Sequence, residues 1–158
     1  MADEPLIALE RFLPYRLNVL AASVSNALAQ IYADRFGLTI PGWRVIATLG
    51  QFGVRTGRDV AAHAVMHKST VSRAVSGLVE RGLVRREANP QDGREDFLAL
   101  TDEGRAVYEA LAPEALAFER ELLAPLTAPE RETLFALIAR LDRRAEIMGA
   151  AALREAAE

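Results

Sequence analysis

The sequence predicts a mainly α-helical fold that carries one small β-hairpin. Apolar residues recur at steps of three and four over most of the 158 residues, which is the spacing of an amphipathic helix. Between residues 83 and 100 this spacing gives way to two strand-like runs around a turn-forming segment. Hydrophobic residues make up 51% of the chain, enough to bury a core rather than remain disordered.

The composition removes several classes of function. The chain has no cysteine, which excludes disulfides, thiolate metal sites and cysteine nucleophiles. Its two histidines, His63 and His67, have no carboxylates at a spacing that would complete a zinc site, so we expect neither metal nor cofactor. No run of eighteen apolar residues is present, and Asp3 and Glu4 stand where a signal peptide would be basic. We therefore expect a cytoplasmic protein without a membrane partner.

The net charge of −3 hides an uneven distribution. Residues 54–86 contain seven basic and two acidic side chains, a balance of +5. Residues 102–158 contain seven basic and twelve acidic side chains, a balance of −5. A basic segment in an acidic chain is typical of a local phosphate-binding face, although chance fluctuation in an arginine-rich sequence gives the same numbers.

The first helical segment is predicted from Leu6 to Phe36, as one long helix or two in tandem. Pro14 interrupts its leucine pattern and marks either the first turn of the main helix or a kink. Gly37 ends the helix, since glycine accepts the left-handed cap conformation. So long an apolar stripe needs a covering surface, and in a small protein that surface is often a second subunit.

Two shorter helices are predicted next. Thr39 caps the second helix, with Pro41 in its first turn, and the helix extends to Phe52. The third helix begins at Thr56, and Asp59 stands at the spacing of a capping box.

A fourth helix and the hairpin follow. The fourth helix spans residues 68–81 and ends at Gly82. Residues 83–87 are predicted as a strand, residues 89–93 as a turn, and Phe97 begins the returning strand.

The chain is predicted to end in two further helices. Thr101 caps the fifth helix, which runs to about Leu123 and is expected to kink at Pro113. A capping box over residues 127–130 opens the last helix, which runs to about Met148, and the alanine-rich tail is expected to fray.

Two short helices, a tight connection and a following hairpin form a winged helix-turn-helix, in which the second helix enters the DNA major groove. Serine and threonine hydroxyls suit base edges or phosphates, Arg73 can contact guanine with two hydrogen bonds, and Lys68 is placed for a phosphate. Ordinary helix capping by the same hydroxyl residues is the alternative. His67 is predicted either to cap the start of this helix or to contact a phosphate. The candidate DNA-binding residues on this helix are His67, Lys68, Ser69, Thr70, Ser72 and Arg73.

The hairpin adds three candidates. Arg94 lies at its tip or return, where a guanidinium group can enter the electronegative minor groove. Asp92, two residues earlier, is expected to hold that guanidinium by a charge-assisted hydrogen bond. The alternative is a solvated turn with an incidental ion pair. Arg86 on the first strand completes the basic set.

These segments resemble the MarR (multiple-antibiotic-resistance-regulator) family. Residues 92–101, Asp-Gly-Arg-Glu-Asp-Phe-Leu-Ala-Leu-Thr, resemble its wing signature, an Asp-x-Arg turn followed by a strand that ends in Leu-Thr. Residues 67–73 and 78–84 resemble its recognition helix and the exit into the wing. Leu38-Thr39 with residues 43–45 resembles its second helix. The order of elements matches over nearly the whole chain.

The resemblance implies a homodimer formed through the first and last helices. Residues 1–36 and 102–158 would then be the helical dimerisation region, and residues 37–101 the winged helix-turn-helix DNA-binding domain. The resemblance further implies a pseudo-palindromic operator, repression, and release of DNA by a small aromatic or phenolic anion bound between the two regions. The absence of cysteine excludes the branch that senses peroxide through a thiol, and the lack of metal ligands argues against the zinc-sensing branch.

An effector site needs an apolar slot with a few polar anchors. Arg16 or Arg44 can pair with a carboxylate, and Trp43 can stack on a ring. The alternative places Trp43 in the core and leaves Tyr15 and Arg16 in an interface or in solvent. The candidates from the first two helices are Tyr15, Arg16, Ser23, Asn26, Trp43 and Arg44.

The sequence thus predicts a sequence-specific, double-stranded DNA-binding transcriptional regulator and not an enzyme. No phosphate-cradling glycine loop or nucleophile constellation supports catalysis. A ligand-independent regulator and a protein-interaction module on the same fold remain as alternatives.

Overall fold

The computed structural model describes residues 6–155, and the side chains of residues 6–150. Within this range the chain is mainly helical with one small antiparallel sheet, as the sequence predicts. The helices are α1 (Leu13–Phe36), α2 (Ile40–Phe52), α3 (Gly57–His63), α4 (Lys68–Glu80), α5 (Asp102–Leu122) and α6 (Ala128–Glu155), and the strands are β1 (Arg55–Thr56), β2 (Val84–Glu87) and β3 (Phe97–Leu100).

The first helix begins later than its apolar pattern suggests. A separate 3-10 turn, Leu9–Arg11, precedes α1. Pro14 lies in the first turn of α1, where a missing backbone N–H costs nothing, so the first of its two predicted roles is confirmed. Gly37 ends the helix with φ of 57°, and its N–H donates to the carbonyl oxygen of Ala33 at 2.8 Å.

The N-terminal caps of α2 and α3 form as predicted. The hydroxyl of Thr39 accepts a hydrogen bond from Gly42 N at 3.2 Å at the start of α2. At the start of α3 the capping box is complete, because Thr56 Oγ1 accepts from Asp59 N and Asp59 Oδ2 accepts from Thr56 N at 3.1 Å. The hydrogen bonds from the side chain and backbone of Thr56 lower the pKa of Asp59.

The predicted hairpin belongs to a three-stranded sheet, whose third strand has no signal in the sequence pattern. Strand β3 lies in the middle and pairs antiparallel with β2 on one side and β1 on the other. In β1, Arg55 is opposite Leu98 and Thr56 is opposite Phe97. This pairing places the start of α3 beside the residues that enter β3.

One core unites the elements up to α5. It is built mainly from β-branched and leucine side chains on α2, α3, α4 and the sheet, and it also includes Tyr32 of α1 and Leu111 of α5. Its least exposed members are Tyr32, Val45, Ile46, Leu49, Val60, Val75, Val84 and Leu111.

The sheet leads into α5 through a tight corner. Thr101 Oγ1 accepts from Gly104 N at 3.0 Å, which confirms Thr101 as the cap, and donates to Gly82 O at 2.7 Å. The backbone N–H of Thr101 donates to Leu83 O at 3.1 Å. Pro113 lies inside α5.

The chain forms two compact units, one ending at Leu116 and the other beginning at Ala117. In the second unit, Glu130 accepts hydrogen bonds from Thr127 N at 2.8 Å and Thr127 Oγ1 at 2.7 Å, which forms the carboxylate half of the predicted capping box. These bonds lower the pKa of Glu130. Helix α6 continues to Glu155, past the predicted end near Met148, because its alanine-rich end favours helix.

Within residues 6–155, none of the helices has the length and apolar character that a membrane span requires. The predicted division into a DNA-binding domain and a dimerisation region stays a prediction. Its outermost residues, 1–5 and 156–158, lie outside the described part of the chain.

Candidate nucleic-acid interface

The turn between α3 and α4 sets the start of the predicted recognition helix. Val65 in this turn has φ of 50°, a left-handed conformation, and is 87% exposed. His67 then caps α4, because its Nδ1 atom accepts from Ser69 N at 3.3 Å and lies 2.8 Å from Ser69 Oγ. Capping, one of the two roles predicted for His67, is confirmed, and contact with DNA phosphate stays a prediction.

Three buried residues fix how α4 is rotated. Val71, Val75 and Leu78 are each at most 3% exposed and pack into the core. The opposite side of the helix therefore faces solvent. This side carries the predicted DNA-binding residues Lys68, Ser69, Ser72 and Arg73 as exposed side chains, with Thr70 half-buried.

Strands β2 and β3 and the turn between them form the wing, and side-chain to backbone hydrogen bonds hold its turn. Asn89 Oδ1 accepts from Gln91 N at 3.0 Å and from Asp92 N at 3.3 Å. Asp92 Oδ1 accepts from the backbone N–H of Arg94 at 3.1 Å. The prediction that Asp92 would hold the Arg94 guanidinium is therefore wrong. The short Asp side chain bonds more readily to the backbone two residues ahead than to the distant guanidinium of a long arginine side chain. Within the described residues that guanidinium forms no ion pair and is exposed.

A groove of about 300 Å³ runs between the start of α3, the solvent side of α4 and the wing. It brings together Lys68 and Ser72 of α4 with Arg86 of β2 and Arg94 of the wing. Four of the predicted DNA-binding residues, separated by up to 26 positions in sequence, thus line one surface. We name this surface the basic groove. Its polar lining also includes Arg58, Glu95 and Asp96.

Arg58 was not among the predicted DNA-binding residues. It lies in the first turn of α3, and the pairing of β1 with β3 brings it to the wing. Its Nη2 atom is 3.1 Å from Glu95 Oε1. On the other side of the basic groove, Arg86 Nη1 is 3.8 Å from Asp96 Oδ2, and Arg86 Nη2 is 3.5 Å from Ser76 Oγ. The only sequence signal for Arg58 is its membership of the basic stretch from residue 54 to residue 86.

Arg73, although exposed on α4, does not line the basic groove. It lines a second cavity of about 250 Å³ that also includes Gly37 and Arg81. Arg81 donates a hydrogen bond to Gly37 O at 3.0 Å and another to Phe36 O, so it binds the last carbonyl groups of α1. Cations therefore flank α4 on both sides, Lys68 toward the wing and Arg73 toward the end of α1.

Two of the predicted effector-binding residues lie together. Trp43 stacks on Tyr32 with ring centroids 5.7 Å apart, and Arg44 Nη2 donates to Ser25 Oγ at 3.2 Å. Burial raises the pKa of Tyr32, and the positive charge of Arg44 opposes that rise. Both Trp43 and Arg44 line a cavity of about 390 Å³, whose other lining residues are Ala47, Thr48, Gln51, Phe52, His63 and Ala64.

The remaining effector candidates lie elsewhere on α1. Tyr15, Arg16, Ser23 and Asn26 are exposed and do not line this cavity. His63, at the last position of α3, stacks on Phe52 with centroids 4.3 Å apart. Sequence spacing gave no sign of this pair, because the two residues belong to different helices. The effector-binding residues stay predictions.

A model of the MarR family matches residues 36–95. A MarR-family transcriptional regulator from Silicibacter pomeroyi, known from a crystal structure, is 31% identical with a TM-score of 0.73; the match covers 88% of this chain and 94% of that one. PcaV from Streptomyces coelicolor, solved in complex with its natural ligand, is 29% identical with a TM-score of 0.71 and coverages of 90% and 99%. The HTH-type transcriptional repressor IacR from Pseudomonas putida is 31% identical over 70 residues, which span 44% of this chain and 42% of that protein.

Proposed function

This chain belongs to the MarR family of transcriptional regulators, and we propose that it binds a pseudo-palindromic DNA operator as a homodimer and represses transcription until a small aromatic acid releases it. The observation that carries the proposal is the basic groove. It joins the solvent side of α4 to the wing, so that a duplex lying along α4 meets cations from both elements.

The exposed side chains of α4, β2 and the wing suit different parts of the DNA. Ser69, Ser72 and Arg73 carry hydrogen-bonding groups that suit base edges in the major groove. Lys68 and Arg86 face the basic groove and supply phosphate contacts. Arg94 at the wing is free to enter the minor groove, where a guanidinium group gains from the negative potential.

Exposed apolar side chains support the dimer. The first unit exposes Leu13, Leu17 and Leu20 on α1, each at least 47% accessible. The second unit exposes Leu137 and Leu141 on α6, each at least 45% accessible. Rows of leucine at steps of three and four on a helix surface are expensive to leave in water, which favours their burial against a second copy.

The cavity beside Trp43 and Arg44 supports an effector of aromatic acid type. It offers indole and phenyl surfaces for a ring, the guanidinium group of Arg44 for a carboxylate, and the amide of Gln51 for a further hydrogen bond. PcaV binds its natural ligand, and IacR is a repressor. A ligand can release DNA only if its affinities for the bound and free conformations differ.

Gel-shift titrations with the DNA upstream of the protein's own gene test the proposal. Arg73→Ala should cost about 1–3 kcal/mol on the operator and relax base preference, because it removes a two-pronged base contact. Arg94→Ala should weaken binding through the lost minor-groove contact. Arg105→Ala is the matched control and should bind as wild type. It removes an exposed arginine of α5 that lines neither the basic groove nor the cavity beside Arg73.

Each part of the proposal has its own contrary result. Wild-type affinity in both Arg73→Ala and Arg94→Ala would show that this surface does not contact DNA. Repeating the titration with a panel of aromatic acids tests the effector. An unchanged shift with every acid would reject release by this ligand class and leave a ligand-independent regulator.

A further inference from the structure

The basic groove contains its own carboxylates. Glu95 and Asp96, at the end of the wing turn, line the same groove as the cations of α3, α4 and the wing. Glu95 pairs with Arg58 at 3.1 Å and Asp96 pairs with Arg86 at 3.8 Å. Two of the groove's four cations are therefore already paired with acids of the same chain in the absence of DNA.

The pairing follows from the topology of the sheet. Strand β3 is central, so the residues just before it face partners on both sides. The β1 pairing brings Arg58 to Glu95, and the β2 pairing places Arg86 opposite Leu98, two residues after Asp96. The two acids thus reach one arginine on each side.

We propose that Glu95 and Asp96 act as internal substitutes for DNA phosphate, occupying Arg58 and Arg86 in the unbound protein and weakening sequence-independent binding. The inference rests on the proposed DNA-binding function and adds two residues that determine specificity. Binding to arbitrary sequence derives almost entirely from phosphate contacts. When carboxylates already occupy some of the groove's cations, phosphate contacts contribute less to DNA affinity, and base contacts from α4 contribute a larger share of it.

The exposure of the ion pairs shows whether the two acids compete with DNA phosphate for the arginines or hold the arginines in place for DNA. The side chains of Arg58 and Arg86 are 63% and 43% exposed, and Asp96 is 50% exposed at the long distance of 3.8 Å. Such pairs constrain a side chain weakly and are broken at small cost. A duplex therefore displaces the carboxylates, and removing them should strengthen binding instead of disordering the arginines.

The first measurement is fluorescence anisotropy with a random-sequence duplex of about 30 base pairs, which needs no knowledge of the operator. An exposed ion pair that must be broken lowers affinity by about two- to five-fold. Glu95→Gln/Asp96→Asn should therefore bind roughly ten-fold more tightly at low salt. Its salt dependence should also be steeper, by up to about two in slope, because the displaced wild-type carboxylates take up cations as the phosphates release them.

The matched control has the same change in net charge and also loses two ion pairs. Glu87 pairs with Arg85 at 2.7 Å on the same sheet, and Glu114 pairs with Arg35 on α1. Neither acid lines the basic groove. Glu87→Gln/Glu114→Gln should change the affinity for the random duplex less than two-fold.

A second comparison separates displacement from simple repulsion of DNA by the acids. If Glu95 works by occupying Arg58, then Glu95→Gln should gain nothing in a chain that already carries Arg58→Gln. A gain that persists in that background would overturn the inference. The inference would also be overturned if Glu95→Gln/Asp96→Asn bound the random duplex no more tightly than Glu87→Gln/Glu114→Gln. The proposed function would survive that result, because wild type would still bind DNA. Wild type that shows no salt-dependent binding to any duplex would overturn both the inference and the proposed function.

Discussion

Gly104 is the position where one added methyl group should do most damage. A Cβ atom at Gly104 would lie 1.9 Å from Leu83 O and 2.9 Å from Leu83 C. Both are backbone atoms, so no side chain can rotate away to make room. The contact lies at the corner where Thr101 N donates to Leu83 O and Thr101 Oγ1 donates to Gly82 O.

The size of the effect follows from these contacts. Relieving the clash requires the start of α5 and the backbone at Leu83 to separate by roughly 1.5 Å, the distance still missing from an ordinary van der Waals contact. A shift of that size breaks the two hydrogen bonds that Thr101 donates to Leu83 O and Gly82 O, at about 1 kcal/mol each. Loosened packing of the core adds about 1–3 kcal/mol. Alanine's higher helix propensity offsets up to about 1 kcal/mol of this loss. Gly104→Ala should therefore lower the free energy of unfolding by about 3 kcal/mol.

Urea unfolding at one fixed protein concentration measures this loss, because the proposed dimer makes stability depend on concentration. A loss of this size lowers Tm by about 6–12 °C for a chain of this length. Gly77→Ala is the control, since a Cβ there has no neighbour within 4 Å and the site is interior to α4. It should raise stability by up to about 1 kcal/mol. Equal stability of Gly104→Ala and wild type would refute the close-approach argument.

Two further substitutions test local conformation and charge. Val65→Asn should stabilise the chain by about 1 kcal/mol in urea unfolding, because a β-branched residue is strained at φ of 50° and its exposed side chain has no burial to lose; a less stable variant would contradict this. The lowered pKa of Asp59 means that its capping box stabilises the fold above the unfolded carboxyl pKa of about 3.9, and that this stability is lost as pH falls through the folded pKa. Asp59→Asn should therefore flatten the decline in unfolding free energy between pH 7 and 3, whereas parallel curves would show that Asp59 does not contribute.

The helix boundaries were predictable because their causes are local. A glycine at a left-handed cap, a proline in a first turn and a threonine three residues before an aspartate each act within one turn of chain. Gly37, Pro14 and the Thr56–Asp59 pair therefore behave in the structure as they do in the sequence pattern. The exposed side of α4 was predictable in the same way, since Val71, Val75 and Leu78 recur at the helical spacing.

The missing parts of the interface depend on contacts between distant segments. Strand β1 is two residues long, so it leaves no alternating pattern, and it exists only because β3 offers a free edge to pair with. That pairing is also what brings Arg58 to Glu95, across 37 positions of sequence. The charge count over residues 54–86 identified the basic stretch but did not include Glu95 and Asp96, and a count of charges does not say which of them meet. The sheet decides this, so the net positive charge of a segment overstates the number of cations free to attract a duplex.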